Sequence, residues 1–154
     1  MSATLELFDL IGELARQRRL LAERTFAAVG LNHTEARLLT LLGKTDGASP
    51  QEALCNQLSV DRTNAGRALD RLAQAGLVER RRDPEDKRAR TVHITRAGRR
   101  RVDEIAALRK SMADDFLGGL SQQEAAGVVR LLRERLQRPV TAPPEKPRTR
   151  TARG

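Results

Sequence analysis

Ser49-Pro50-Gln51-Glu52-Ala53-Leu54-Cys55-Asn56-Gln57-Leu58, then Ser59-Val60-Asp61, then Arg62-Thr63-Asn64-Ala65-Gly66-Arg67-Ala68-Leu69-Asp70-Arg71-Leu72-Ala73-Gln74-Ala75-Gly76 is the stretch that decides the fold. It reads as a short helix, a tight break and a second helix. Ser49 is expected to cap the first helix, with Pro50 in its first position and Glu52 closing a capping box. Asp61 is expected to cap the second, and Gly76 to stop it. On a helical wheel Ala65, Ala68, Leu69 and Leu72 share one face, which is predicted to pack inward. Thr63, Arg67, Asp70 and Gln74 lie opposite, flanked by Arg62, Asn64 and Arg71. Short polar and basic side chains near a helix N-terminus are what reaching base edges in a major groove requires, and the N-terminus itself attracts phosphate. Gly66 costs the helix up to ~1 kcal/mol relative to Ala, which close approach of a DNA backbone or of a neighbouring helix would explain.

Downstream, Leu77–Arg82 and Arg90–Thr95 are predicted strands around the polar turn 83–89. Val92 and Ile94 alternate with Thr91, His93 and Thr95, the pattern of a half-buried strand. Arg80, Arg81, Arg82, Lys87, Arg88 and Arg90 surround a turn that also carries Asp83, Glu85 and Asp86. Helix, turn, helix and basic hairpin together make a winged helix-turn-helix. The wing tip can place Arg in a minor groove, with one of the acids holding it extended.

Outward from this centre the chain is helical. Residues 4–28 are predicted as one long helix, stopped by Gly30; a second helix runs from a Thr34 cap to about Gly43. Beyond the hairpin, Thr95 is expected to cap a helix to about Leu117, and Ser121-Gln122-Gln123-Glu124 opens a last helix to about Gln137. The expected fold class is therefore mainly α with a small β-hairpin wing. Residues 31–99 form the winged helix-turn-helix, residues 1–30 and 100–137 a further helical region, and 138–154, rich in Pro, Thr and Arg, a disordered basic tail.

Charge follows the same division. The net charge is +9, of which residues 60–101 carry +7 and residues 138–154 carry +4 on a nearly neutral remainder. A polyanionic partner is implied. With three aromatic residues in all, Phe8, Phe26 and Phe116, base stacking on aromatic platforms is excluded, which disfavours single-strand and RNA readers. One cysteine, Cys55, forms no intrachain disulfide and suits a reducing cytoplasm. No apolar run spans a bilayer, no ligand spacing for a metal is present and no cofactor is expected. Nucleophile–base pairs and Gly-rich phosphate loops are absent, so an enzyme is not expected.

The motifs are specific in combination. Leu72-Ala73-Gln74-Ala75-Gly76-Leu77-Val78-Glu79-Arg80, then Asp86-Lys87-Arg88, then Ile94-Thr95-Arg96-Ala97-Gly98 resembles the MarR family of bacterial transcription regulators over about residues 5–137. The departure is Ile94, where Leu is usual. The resemblance implies a homodimer that binds double-stranded DNA, in which residues 1–30 and 100–137 form the dimerisation region. It implies recognition-helix contacts at Arg62, Thr63, Asn64 and Arg67, a minor-groove Arg88 oriented by Asp86, and phosphate contacts at Arg82 and Arg90. It further implies a small aromatic or anionic effector in a cleft, for which Arg16, Arg19 and His33 are candidates. Apolar stripes at Leu5–Leu21 and at Val128, Val129, Leu132 and Leu136 independently call for more cover than a small winged domain offers. Two other functions stay open at this point: a nonspecific architectural DNA binder, and a redox-responsive regulator using Cys55, whose plainer reading is a buried structural thiol.

Overall fold

A computed structural model describes residues 2–86 and 88–139. They fall into two units, 1–118 and 119–154. The expected tail, 138–154, lies outside the described residues from 140 onward.

The first unit holds five helices and three strands. In chain order these are α1 (Ala3–Ala27), α2 (His33–Gly43), β1 (Ala48–Pro50), α3 (Gln51–Leu58), α4 (Arg62–Gln74), β2 (Val78–Arg82), β3 (Arg90–Ile94) and α5 (Arg96–Phe116). The second unit holds α6 (Gln122–Leu136), opened by the expected capping box between Ser121 and Glu124. Mainly helical with a small antiparallel sheet is the fold class expected from sequence, and it is the one observed.

Two helix starts differ from expectation. Asn32, not Thr34, caps α2: its Oδ1 accepts the Glu35 amide at 2.9 Å, and the Glu35 carboxylate accepts the Asn32 amide at 2.8 Å. Glu35 is also buried and ion-paired with Arg71 of α4. One carboxylate therefore closes a helix end and ties two helices together. The Ser49 capping box does not form. Ser49 is buried in β1, paired with Val92 of β3, and Pro50 flanks α3 without a side-chain cap. Ala48–Pro50 thus adds a third strand to the expected hairpin, in the order β1-β3-β2. Glu52, freed from capping, pairs with Arg62 of α4 at 2.5 Å.

The other ends form as read. Asp61 caps α4, accepting the Asn64 amide at 2.9 Å, and this bond holds its carboxyl below the usual range. Gly76, in the left-handed region at φ +70°, turns the chain into β2. Thr95 caps α5 through the Gly98 amide at 3.0 Å.

The core is aliphatic. Leu38, Leu39 and Leu42 of α2, Leu54 of α3, Leu69 and Leu72 of α4, Val92 of β3 and Ile105 of α5 are essentially inaccessible. Only the C-terminal part of α1 joins this core, through Ala22 and Phe26; Leu5, Leu7, Phe8, Leu10, Ile11 and Leu14 stand exposed.

Candidate nucleic-acid interface

Recognition begins with how α4 is held. Ala65, Ala68, Leu69 and Leu72 are buried, as the wheel requires, so Thr63, Arg67, Asp70 and Gln74 face outward. Arg62, Thr63, Asn64 and Arg67 are all exposed at the N-terminal half of α4. Asn64 is partly engaged, since its side-chain amide donates to Asp61. Nothing in the described chain lies within 4 Å of a Cβ built on Gly66, so no neighbouring helix explains that glycine.

The wing stands beside α4. Arg82, Arg88 and Arg90 are exposed on it. A cleft of about 300 Å³ between the wing base and the two helices gathers Arg62, Arg88 and Arg90 with Arg80, Glu52 and Cys55. Three of the residues singled out from sequence are therefore brought to one place, while Thr63, Asn64, Arg67 and Arg82 lie outside that cleft. This concentration of guanidinium groups beside a helix N-terminus suits phosphate.

The acids of the wing serve its backbone. Asp83 accepts the amides of Glu85 at 2.8 Å and Asp86 at 3.3 Å, and Asp86 accepts the Arg88 amide at 2.9 Å. Asp86 thus contacts Arg88 through its main-chain amide.

Arg80 has a role that sequence reasoning missed. It sits two residues from buried Val78, on the inward side of β2, and its side chain is 16% exposed. Its guanidinium pairs with Asp70 of α4 and donates to Gln51 Oε1 of α3 at 2.8 Å. One side chain thereby joins the wing to both helices of the helix-turn-helix. The period-two alternation from Val78 was the available signal. Asp70→Asn is expected to cost about 1 kcal/mol of stability, the exposed carboxylate limiting the loss. It should also speed amide hydrogen exchange in β2 and β3, measured against wild type. Unchanged exchange there would remove the brace.

A second hollow, of about 190 Å³, lies among α1, α2, α3 and α5. His33 lines it, as do Arg18, Arg37 and Arg109 over a floor that includes Ala22 and Phe26. Arg16 and Arg19 do not line it. Arg16 is held by Glu13 at 2.6 Å, which brings the exposed Glu13 carboxyl down to about 2, and Arg19 pairs with Glu23 at 3.0 Å. The helical repeat explains the difference: Arg18, Ala22 and Phe26 share one face of α1. His33 stacks near Phe26, with ring centroids 6.4 Å apart, and its Nδ1 is buried without a partner. Burial first, then the charges of Arg37, Arg18 and Arg19, push the imidazole below its usual value.

Cys55 is buried, and burial pushes its thiol up, away from the thiolate that oxidation needs. Among the described residues no helix is long and apolar enough to cross a membrane, and no cluster of His, Cys, Asp or Glu could hold a metal ion.

A buried-faced helix with a basic N-terminal half, braced to a basic wing, defines a winged helix-turn-helix DNA-binding protein. A MarR family model matches residues 31–89, across the helix-turn-helix and wing. The uncharacterized HTH-type transcriptional regulator YkoM of Bacillus subtilis is 30% identical over 105 residues, 68% of each chain. The crystal structure of a mutant MarR from E. coli complexed with operator DNA superposes with a TM-score of 0.72 at 25% identity, covering 86% of this chain and 95% of that one. That of BpsR from Bordetella bronchiseptica, whose DNA binding is regulated by 6-hydroxynicotinic acid, superposes at 0.75 and 22% identity, covering 85% and 98%. The chain belongs to the MarR family: it is a DNA-binding transcriptional regulator, not an enzyme.

Proposed function

We propose that the protein is a homodimeric repressor, released from a pseudo-palindromic operator by a small anionic ligand. The observation that carries the DNA half is the cleft that gathers Arg62, Arg88 and Arg90 beside the capped start of α4. Arg62, Thr63, Asn64 and Arg67 then contact the major groove, Arg88 enters the minor groove in the pose Asp86 sets, and Arg82 and Arg90 take phosphates.

The exposed apolar residues of α1, Leu5 to Leu14, support a second copy as their cover, since Phe8 at 74% exposure serves nothing in a lone chain. Residues 1–30 and 100–137 form the dimerisation region in this reading. Two recognition helices then meet successive major grooves about one helical turn apart. The hollow at His33 is the effector site, entered by anions that Arg18, Arg37 and Arg109 attract. Bound ligand favours a geometry that misplaces the recognition helices, with a coupling of about 1–3 kcal/mol. BpsR, with its 6-hydroxynicotinic acid, is a precedent for such control in this fold. Buried Cys55 argues against a redox trigger.

Competition at fixed salt between duplex from upstream of the gene and random duplex tests the function. Preference for the upstream duplex by about a thousandfold or more is expected of a specific regulator. Equal affinity would instead favour a nonspecific architectural binder. Sedimentation of the free protein checks the dimer.

A further inference from the structure

The hollow at His33 carries more positive charge than one carboxylate can neutralise. Arg18, Arg37 and Arg109 line it from three different helices, and no described Asp or Glu lines it. None of these three makes an ion pair among the described residues, whereas Arg16, Arg19, Arg71 and Arg101 each have a carboxylate partner. Three guanidinium groups with no counter-charge around one concavity attract an anion. The imidazole of His33 lines the same hollow, beside these three guanidinium groups.

Size narrows the ligand further. At about 190 Å³ the hollow is smaller than the roughly 300–1,000 Å³ of drug-sized sites, which suits a compact molecule. Its apolar floor at Ala22 and Phe26 suits a ring or a short carbon chain.

We propose that this hollow takes a compact dianion, a ring or short chain bearing two carboxylates or a phosphate monoester, and that His33 gains a proton as the dianion binds. This rests on reading the hollow as the effector site. The groups facing His33 are Arg18, Arg19 and Glu23 on α1 and Arg37 on its own helix, with Arg109 of α5 lining the far side of the hollow. Glu23 is engaged with Arg19; burial first, and then the cations, hold the free imidazole below its usual value. A dianion cancels the repulsion from the cations, and the imidazole then favours its charged, doubly donating form. Above the ligand's own second pKa of about 6, where it is already a dianion, binding takes up protons, so affinity rises as pH falls from about 8 towards about 7.

Calorimetry with phthalate, phenyl phosphate and benzoate at about pH 7, constant ionic strength and two buffers of different ionisation heat tests this. At least one dianion should bind at least about tenfold more tightly than benzoate, with buffer-dependent heat showing proton uptake. The tighter of phthalate and phenyl phosphate identifies the source. Arg37→Ala, at an exposed position that spares the fold, should abolish the preference; His33→Gln should abolish the proton uptake. Benzoate binding as tightly as both dianions, or an unchanged preference in Arg37→Ala, overturns the proposal. A dianion preference without buffer-dependent heat overturns the role of His33. A ligand-free gel shift with the same protein separates the failures. If the protein binds duplex but shows no dianion preference, this inference alone falls; if it binds no duplex, the regulator reading falls with it.

Discussion

Replacing Arg82, Arg88 and Arg90 together with alanine is expected to weaken binding to an operator duplex at least about a hundredfold at about 0.1 M salt. All three are exposed, so the free protein loses no packing and its melting temperature should stay within about 2 °C of wild type. Each side chain supplies a charge-assisted interaction of about 1 kcal/mol after allowance for solvent screening. Three of them amount to about 3 kcal/mol, a little over two factors of ten. A second signature is independent of that figure. The slope of log affinity against log salt should flatten by about 0.9 for each phosphate that the variant no longer neutralises. A gel-shift or anisotropy titration at several salt concentrations reads both. Affinity within about threefold of wild type would remove the wing from the interface, however basic it is.

Gly98→Ala is expected to destabilise the protein by about 3 kcal/mol, the upper end of the usual cost of overpacking. A Cβ at Gly98 would stand 2.1 Å from the Leu77 carbonyl oxygen and 2.8 Å from Ile94 Cγ1. The first neighbour is backbone at the entry to β2, and it cannot swing aside. Thr95 fixes the same place, its hydroxyl donating to the Gly76 carbonyl at 2.7 Å while accepting the Gly98 amide. Helix α5 therefore starts pressed against the turn after the recognition helix. A fall in melting temperature of roughly 6–12 °C should follow. Gly66→Ala is the informative control. Its Cβ meets nothing in the described chain, so stability should rise by about 0.5–1 kcal/mol. A loss of DNA affinity in that more stable variant would show that DNA backbone is what approaches Gly66. Gly98→Ala melting like wild type would mean that the α5 start is free to shift.

Most of the fold, and the exposure of the candidate interface residues, are legible in the sequence. The buried face of α4, the caps at Asp61, Thr95 and Ser121, the stop at Gly76 and the alternation of Val92 and Ile94 all follow from it as observed. Each is a local property: a helix face repeats within four residues, a cap acts within three, and a strand alternates every two. The family motifs are local in the same sense, lying between Leu72 and Gly98.

The departures depend on distant partners. Ser49-Pro50-Gln51-Glu52 satisfies every local rule for a capping box. The chain instead pairs Ser49 with Val92, more than forty residues away, because an unpaired β3 edge has donors and acceptors to satisfy. Glu35 likewise looks like an ordinary helix residue until Arg71 is seen to reach it. Arg80, one of the basic residues of the wing by sequence, is a brace because Asp70 and Gln51 converge on it from two other elements.

The hollow shows the division most plainly. Sequence identifies a basic stretch in α1 and points to Arg16 and Arg19, together with His33. Only the packing of α1, α2 and α5 shows that Arg18 is the member of that stretch that meets Arg37, Arg109 and His33, while its neighbours are held by Glu13 and Glu23. The sequence by itself determined that this protein has a helix-turn-helix and a basic wing, because both are written in short-range periodicity and charge. The tertiary structure alone decided which cations share a cavity and which lie neutralised on a surface, because that depends on how separate helices are turned towards one another.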